Sequence, residues 1–344
     1  MLDDLKLIHE RDSQDALGVA KKEPAQLGYN FVDSSMTWPV KQFKNIVFAG
    51  MGGSALAGSV AMSWPGFSVP FEVVRDYHIP TYVSDETLVI VSSYSGNTEE
   101  TLSAFEEAKS KNAYIVVISS GGKLVEMARQ ENIPTLILPA VSQPRYAVFY
   151  GLKATLTITD GLGVTFGKAE DLTNSQQFIT DASKDWLSTV PTAQNLAKQI
   201  AQECVGKSVV IYAGPKLFPA AYKWKIGFNE NAKQIAWCNQ LPEFNHNEFL
   251  GWTKQPTNKP YTVIDLRSNL ENPRTQKRFL VTAKLLSGLR PDPIVVETVG
   301  EKLVEQLIWS IALGDFVSIY TALLNGLNPT PVDMIEKFKQ ELAQ

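Results

Sequence analysis

From Asn45 onward, short runs of β-branched and apolar residues alternate with longer stretches of helical periodicity, the pattern of parallel α/β units. NIVFAG, from Asn45 to Gly50, reads as a buried strand that runs through glycines into a helix from about Gly53. FEVVRD, TLVIVSS, AYIVVISS and PTLILPA follow as further strands, with helical patterns such as TEETLSAFEEAKS between them, and together they predict one doubly wound lobe. Between about 150 and 205 the strand-like alternation lapses and long helical periodicity predicts helices that bridge two lobes. The pattern then restarts with KSVVIYAG (Lys207 to Gly214), a helix over LFPAAYKWKIGFNENAK, and the strands QIAWCNQ, PYTVIDLRS and DPIVVETVG, a diverged repeat of the first lobe. An apolar helical run around Leu307 to Leu324 and a last helix from about Val332 close the chain. The expected fold is therefore α/β, with two doubly wound parallel-sheet domains and flanking helices: residues 1–160 hold N-terminal helices and the first domain, and 161–344 hold linking helices, the second domain and a C-terminal helix.

Composition narrows the function. A length of 344 residues exceeds the usual single-domain size, and 44% hydrophobic with 20% charged residues is ordinary for a globular chain. The net charge of −4 argues against a dedicated nucleic-acid binder, which needs a basic face, so any bound anion should be small. Cys204 and Cys238 lack metal-type spacing and suggest no disulfide framework, which fits a reducing cytoplasm. MLDDLKLIHERD has the charge alternation of an amphipathic helix rather than a signal peptide. No run approaches the roughly 20 uninterrupted apolar residues of a membrane span, so no membrane role is expected.

Two segments carry candidate chemistry. Gly50-Met51-Gly52-Gly53-Ser54-Ala55 lies where a buried strand meets a helix, where free N–H groups and the helix dipole attract an anion. By itself this segment also fits a dinucleotide fingerprint, with Glu72 or Asp76 available for a ribose, or a tight turn without a ligand. Ser93-Tyr94-Ser95-Gly96-Asn97-Thr98 then gathers three hydroxyls at the carboxyl end of TLVIVSS, which a dinucleotide fold does not need and which simple N-capping explains only in part.

GMGGS followed by SYSGNT resembles the sugar isomerase (SIS) domains, and the doubled lobe narrows the resemblance to the bifunctional phosphoglucose/phosphomannose isomerases, across essentially the whole chain. The resemblance implies two SIS-type domains and a substrate phosphate held by Gly53, Ser54, Ser93, Ser95 and Thr98, with Glu99 and Glu100 turned away from it. It implies interconversion of fructose 6-phosphate with glucose 6-phosphate and mannose 6-phosphate through an enediolate. That reaction calls for a carboxylate base and a cation near the developing negative charge. Glu230, in Asn229-Glu230-Asn231-Ala232-Lys233, matches the family's base. His246, in PEFNHNEFLGW, matches its ring-opening histidine, which in the family comes from the neighbouring subunit and so implies a homodimer. Arg145, in Pro144-Arg145-Tyr146-Ala147, matches the enediolate-stabilising arginine, and Lys339 matches best the lysine of the closing helix; Thr330 is a further candidate contact. Read without the resemblance, the same residues fit a helix-end glutamate or an ion pair with Lys233, a structural histidine, and a surface arginine.

No cofactor and no essential metal are expected, since proton transfer through an enediolate needs neither and no His/Asp/Glu cluster has ligand spacing. A non-catalytic phosphosugar sensor competes with the isomerase reading. The roughly 40 residues before the first strand are short for the DNA-binding unit such regulators commonly carry. An NAD-dependent dehydrogenase is opposed by the hydroxyl loop.

Overall fold

A computed structural model describes residues 1–31, 38–254 and 260–342. The chain forms two compact units, Lys22–Thr180 and a second made of Met1–Lys21 with Asp181–Gln344. Helices α1 (Leu5–Arg11) and α2 (Ala16–Lys22, except its last residue) therefore belong to the second unit, where the sequence had grouped them with the first. The reason is a set of contacts between distant positions. Arg11 donates to the Leu323 carbonyl, Asp3 accepts from the buried Lys198 ammonium at 3.1 Å, and Asn328 Nδ2 donates to Ser13 Oγ at 3.0 Å.

In the first unit β1 (Asn45–Gly50), α3 (Gly52–Ser63), β2 (Phe71–Val74), β3 (Thr87–Ser93), α4 (Glu99–Ser110), β4 (Tyr114–Ser119), α5 (Gly122–Gln130) and β5 (Thr135–Ile137) alternate as the sequence predicts. The described strands form a parallel sheet in the order β2-β1-β3-β4-β5. Successive residues of a strand point to opposite faces, so a strand buried on both sides must be apolar throughout. Ile46, Phe48, Leu88 and Ile90 accordingly face one core with Ala57 of α3 and Ala154 and Ile158 of α6 (Val148–Gly161). Val47, Ala49, Val89 and Val91 face the other core, with Ala104 and Phe105 of α4 and Leu124 of α5. The segment read as bridging helices divides between the units. Helices α6 and α7 (Ala169–Ser183), the latter as far as Thr180, stay with the first, where buried Lys153 donates to Thr173 Oγ1 at 2.6 Å; α8 (Leu196–Cys204) belongs to the second.

The second unit repeats the theme with β6 (Ser208–Ala213), α9 (Phe218–Glu230), β7 (Ala236–Gln240), α10 (Glu248–Trp252), β8 (Tyr261–Arg267), α11 (Pro273–Leu285) and β9 (Ile294–Glu297). Its described strands form a parallel sheet in the order β7-β6-β8-β9. Helix α12 (Leu303–Leu324) has the length and mean apolar content of a membrane span, although its apolar run is interrupted, and 94% of its most apolar window is buried, as in a core helix. Polar residues interrupt its apolar run and find partners inside: Asp315 pairs with Lys223 of α9, and Ser318 Oγ accepts from Asn231 Nδ2 at 2.8 Å. Helix α13 (Asp333–Leu342) ends the described chain with no buried residue.

Candidate active site

In the first unit the two predicted loops meet. Strand β1 delivers the chain to α3, and its neighbour β3 delivers it to α4; neither helix has a side-chain cap at its N-terminus. The first-turn N–H groups of both helices thus open at the carboxyl edge of adjacent parallel strands, where a phosphate finds amide donors and two positive dipole ends. Ser54 Oγ accepts from the Tyr94 N–H at 3.0 Å and ties the first loop to the second. Ser93 and Thr98 hydroxyls lie 2.9 Å apart, the Gly96 N–H donates to Ser93 Oγ at 3.1 Å, and the Asn97 N–H donates to Ser95 Oγ at 3.3 Å. Thr98 occupies the cap position of α4, yet its hydroxyl points to Ser93 and not to the helix, so capping does not account for it. Glu99 accepts from the Tyr77 hydroxyl at 3.3 Å.

Two glycines are required by this geometry. A Cβ on Gly53 would lie 3.1 Å from the Pro144 carbonyl oxygen and 3.3 Å from Arg145 Cα, so the glycine loop and the arginine turn touch backbone to backbone. Gly96 has φ +69°, and its Cβ would fall 1.8 Å from the Gly121 carbonyl oxygen. The Gly96→Ala variant is expected to lose the loop's shape, raising KM for a phosphosugar at least about tenfold because several aligned donors are lost together. Steady-state kinetics checks this, and an unchanged KM would mean that the loop does not hold the phosphate.

Arg145 lies in a 3-10 turn, Pro144–Tyr146, at 1% exposure, with its guanidinium 5.0 Å from the Tyr146 ring centroid; it is not a surface arginine. Tyr94 positions the segment before it. Its hydroxyl accepts from the Val141 N–H at 2.6 Å, so the hydroxyl loop and the arginine-bearing loop are pinned by one side chain. Sequence reading treated Tyr94 only as a loop member, since nothing local indicates a partner 47 residues away.

In the second unit Glu230 is the last residue of α9, half-buried. Lys233, at φ +51°, turns the chain there, and its ammonium donates to the carbonyls of Asn231, Asn328 and Pro329 at 3.2, 3.0 and 2.9 Å. This clamp brings the segment carrying buried Thr330 to the end of α9. The lysine that the sequence offered as an ion-pair partner for Glu230 therefore has a backbone-binding role that went unread.

His246 ends a 3-10 turn, Glu243–His246; it is exposed, and its ring has no hydrogen-bond partner among the described residues. The flanking residues are fixed. Asn245 Nδ2 donates to Thr282 Oγ1 at 2.9 Å and Asn247 Nδ2 to Glu243 at 2.6 Å, while Glu248 accepts from Asn239 Nδ2 at 2.6 Å and from the Tyr212 hydroxyl. Burial, together with the Glu248 charge, holds the Tyr212 phenol well above its usual range, so it remains a donor to that carboxylate. Lys339, on exposed α13, pairs with Glu336 of the same helix at 2.8 Å.

The two units differ at one corresponding turn. At the turn from β6 into α9, the place corresponding to the glycine loop of the first unit, the buried Glu271 carboxylate accepts from the Lys216 N–H at 2.7 Å. Burial raises its pKa, while the hydrogen bond from the Lys216 N–H opposes the rise. An internal carboxylate thus occupies the turn that corresponds to the glycine loop of the first unit.

Paired parallel-sheet units with a hydroxyl-and-amide cradle at a strand edge define a double SIS-domain protein. Residues 40–164 match the SIS domain family, and residues 193–342 match the bacterial phospho-glucose isomerase C-terminal SIS domain. The chain is 35% identical to the bifunctional phosphoglucose/phosphomannose isomerase of Aquifex aeolicus, covering 88% of this chain and 91% of that one. It is 36% identical to the protein of the same name from Thermoplasma acidophilum, over 88% and 90%. A glucose-6-phosphate isomerase like protein from Thermus thermophilus shares the fold, with a TM-score of 0.69 over 98% of each chain at 15% identity. The chain belongs to the bifunctional phosphoglucose/phosphomannose isomerase family.

Proposed function

We propose that the protein interconverts fructose 6-phosphate with glucose 6-phosphate and mannose 6-phosphate by proton transfer between carbons 1 and 2. The observation that carries this reading is the cradle of the first unit, where Ser54, Ser93, Ser95 and Thr98 surround two uncapped helix N-termini. It suits a phosphate dianion held by neutral donors and able to leave after each turnover. Glu230 takes the proton from carbon 2 of the open-chain aldose and returns it to carbon 1. The developing enediolate charge is met by Arg145, whose guanidinium is buried. His246 moves the ring-opening proton. Its exposed ring on a rigid turn fits a group presented to a second copy of the chain, so the reading includes a homodimer in which each subunit's His246 serves its partner's site. Lys339 would join the site by rearrangement of α13, since its present partner is Glu336. A reducing cytoplasm suits the two free cysteines.

The test is incubation of chelator-treated protein with fructose 6-phosphate in heavy water, followed by proton NMR. Glucose 6-phosphate and mannose 6-phosphate, each deuterated at carbon 2, are the expected products. Sugar binding without turnover would instead make the chain a sensor.

A further inference from the structure

A cavity of about 330 Å3 opens in the second unit between α11 and the turn that carries His246, remote in sequence from the phosphate cradle of the first unit. One wall is cationic: Arg274, Lys277 and Arg278 fall at i, i+3 and i+4 of α11 and so share a face. Arg278 donates to Asn245 Oδ1 at 3.2 Å; among the described residues, Arg274 and Lys277 have no side-chain partner, and none of the three is in an ion pair. These charges sit in the first half of the helix, whose first turn holds no acidic residue, so they repel one another and oppose the helix dipole. Local electrostatics disfavours the arrangement, and such conflicts concentrate at functional sites. Further along the same helix face Val281 and Leu285 supply apolar surface, and Phe249 adds to it from α10. Asn245 and Thr282, hydrogen-bonded to each other at 2.9 Å, complete the lining. The volume is at the small end of the range of about 300–1,000 Å3 for ligand pockets.

We propose that this cavity binds a small organic anion, a phosphate or carboxylate group on an apolar body. The charge lies against Arg274, Lys277 and Arg278, and the body against Phe249, Val281 and Leu285. None of the lining residues is assigned to the isomerase site proposed above, although Asn245 adjoins His246.

Calorimetric titration of the full chain with phenyl phosphate, and in parallel with inorganic phosphate, tests this. Arg274 and Lys277 are exposed, so the Arg274→Ala/Lys277→Ala variant should fold; a thermal melt checks it. That variant is expected to lose phenyl phosphate affinity by at least about tenfold, the effect of removing two charge-assisted contacts. A Ser93→Ala/Thr98→Ala variant, impaired in the first-unit cradle, is expected to keep this binding. Inorganic phosphate should bind the cavity more weakly than phenyl phosphate. Affinity that follows Ser93 and Thr98 alone, or equal affinity for the two anions, would overturn the proposal. So would a failure of wild type to bind phenyl phosphate accompanied by a changed sedimentation coefficient in the Arg274→Ala/Lys277→Ala variant, which would assign the face to contact between copies.

Discussion

Replacing Glu230 by glutamine is expected to lower kcat for fructose 6-phosphate isomerisation by about 10²–10⁴-fold, the usual loss when a positioned general base is removed. Glutamine keeps the size and hydrogen-bonding shape of the side chain but cannot accept the proton from carbon 1 of the ketose and pass it to carbon 2. Helix α9 and the Lys233 clamp should persist, because Lys233 binds the Asn231, Asn328 and Pro329 carbonyls and needs no charge on Glu230 for those bonds. KM should change little, since the phosphate contacts are assigned to the first unit. Steady-state kinetics and carbon-2 exchange in heavy water read the two effects separately. Retention of kcat within a few-fold would place the base elsewhere. A large rise in KM with kcat intact would make Glu230 a binding residue.

The largest stability effect is expected at the other polar feature of the same helix. Lys223 and Asp315 are each 1% exposed and form an ion pair between α9 and α12 inside the second unit. Removing one member strands a charge in a low-dielectric core, so Lys223→Met should destabilise by about 3–5 kcal/mol. The double change Lys223→Met/Asp315→Leu should recover most of that loss, because both desolvation costs disappear with the charges. Chemical denaturation of the two variants beside the wild type checks the pair. If the double variant is as unstable as the single one, packing rather than charge dominates the site. The α9 C-terminus carries Glu230, so the single variant should also lose activity at temperatures where the wild type holds it.

The central strands were legible to within a residue or two for a definite reason. KSVVIYAG became Ser208–Ala213 and TLVIVSS became Thr87–Ser93, because a parallel strand covered on both faces must be apolar at consecutive positions. Helix ends were harder. LFPAAYKWKIGFNENAK reads as helical through Lys233, whereas α9 stops at Glu230 and Lys233 adopts positive φ to reach the 328–329 carbonyls. Helix α12 was read as an apolar helical run around Leu307 to Leu324; its polar residues Asp315 and Ser318 are tolerated in the core because Lys223 and Asn231 meet them there. Arg145 could be assigned a role only by resemblance, since an arginine after a strand is ordinarily exposed and its burial depends on packing that no local pattern encodes.

The sequence by itself determined the alternation of strands and helices, the doubled lobe, and the two loops whose glycines and hydroxyls suit a phosphate. Each depends on residue type and near-neighbour spacing, which periodicity and backbone sterics express directly. Tertiary structure decided that α1 and α2 join the second unit, that Tyr94 pins the arginine-bearing loop, and that Glu271 binds the turn from β6 into α9. These outcomes rest on hydrogen bonds and ion pairs between positions tens to hundreds of residues apart, where the partner is selected by packing rather than by any pattern along the chain.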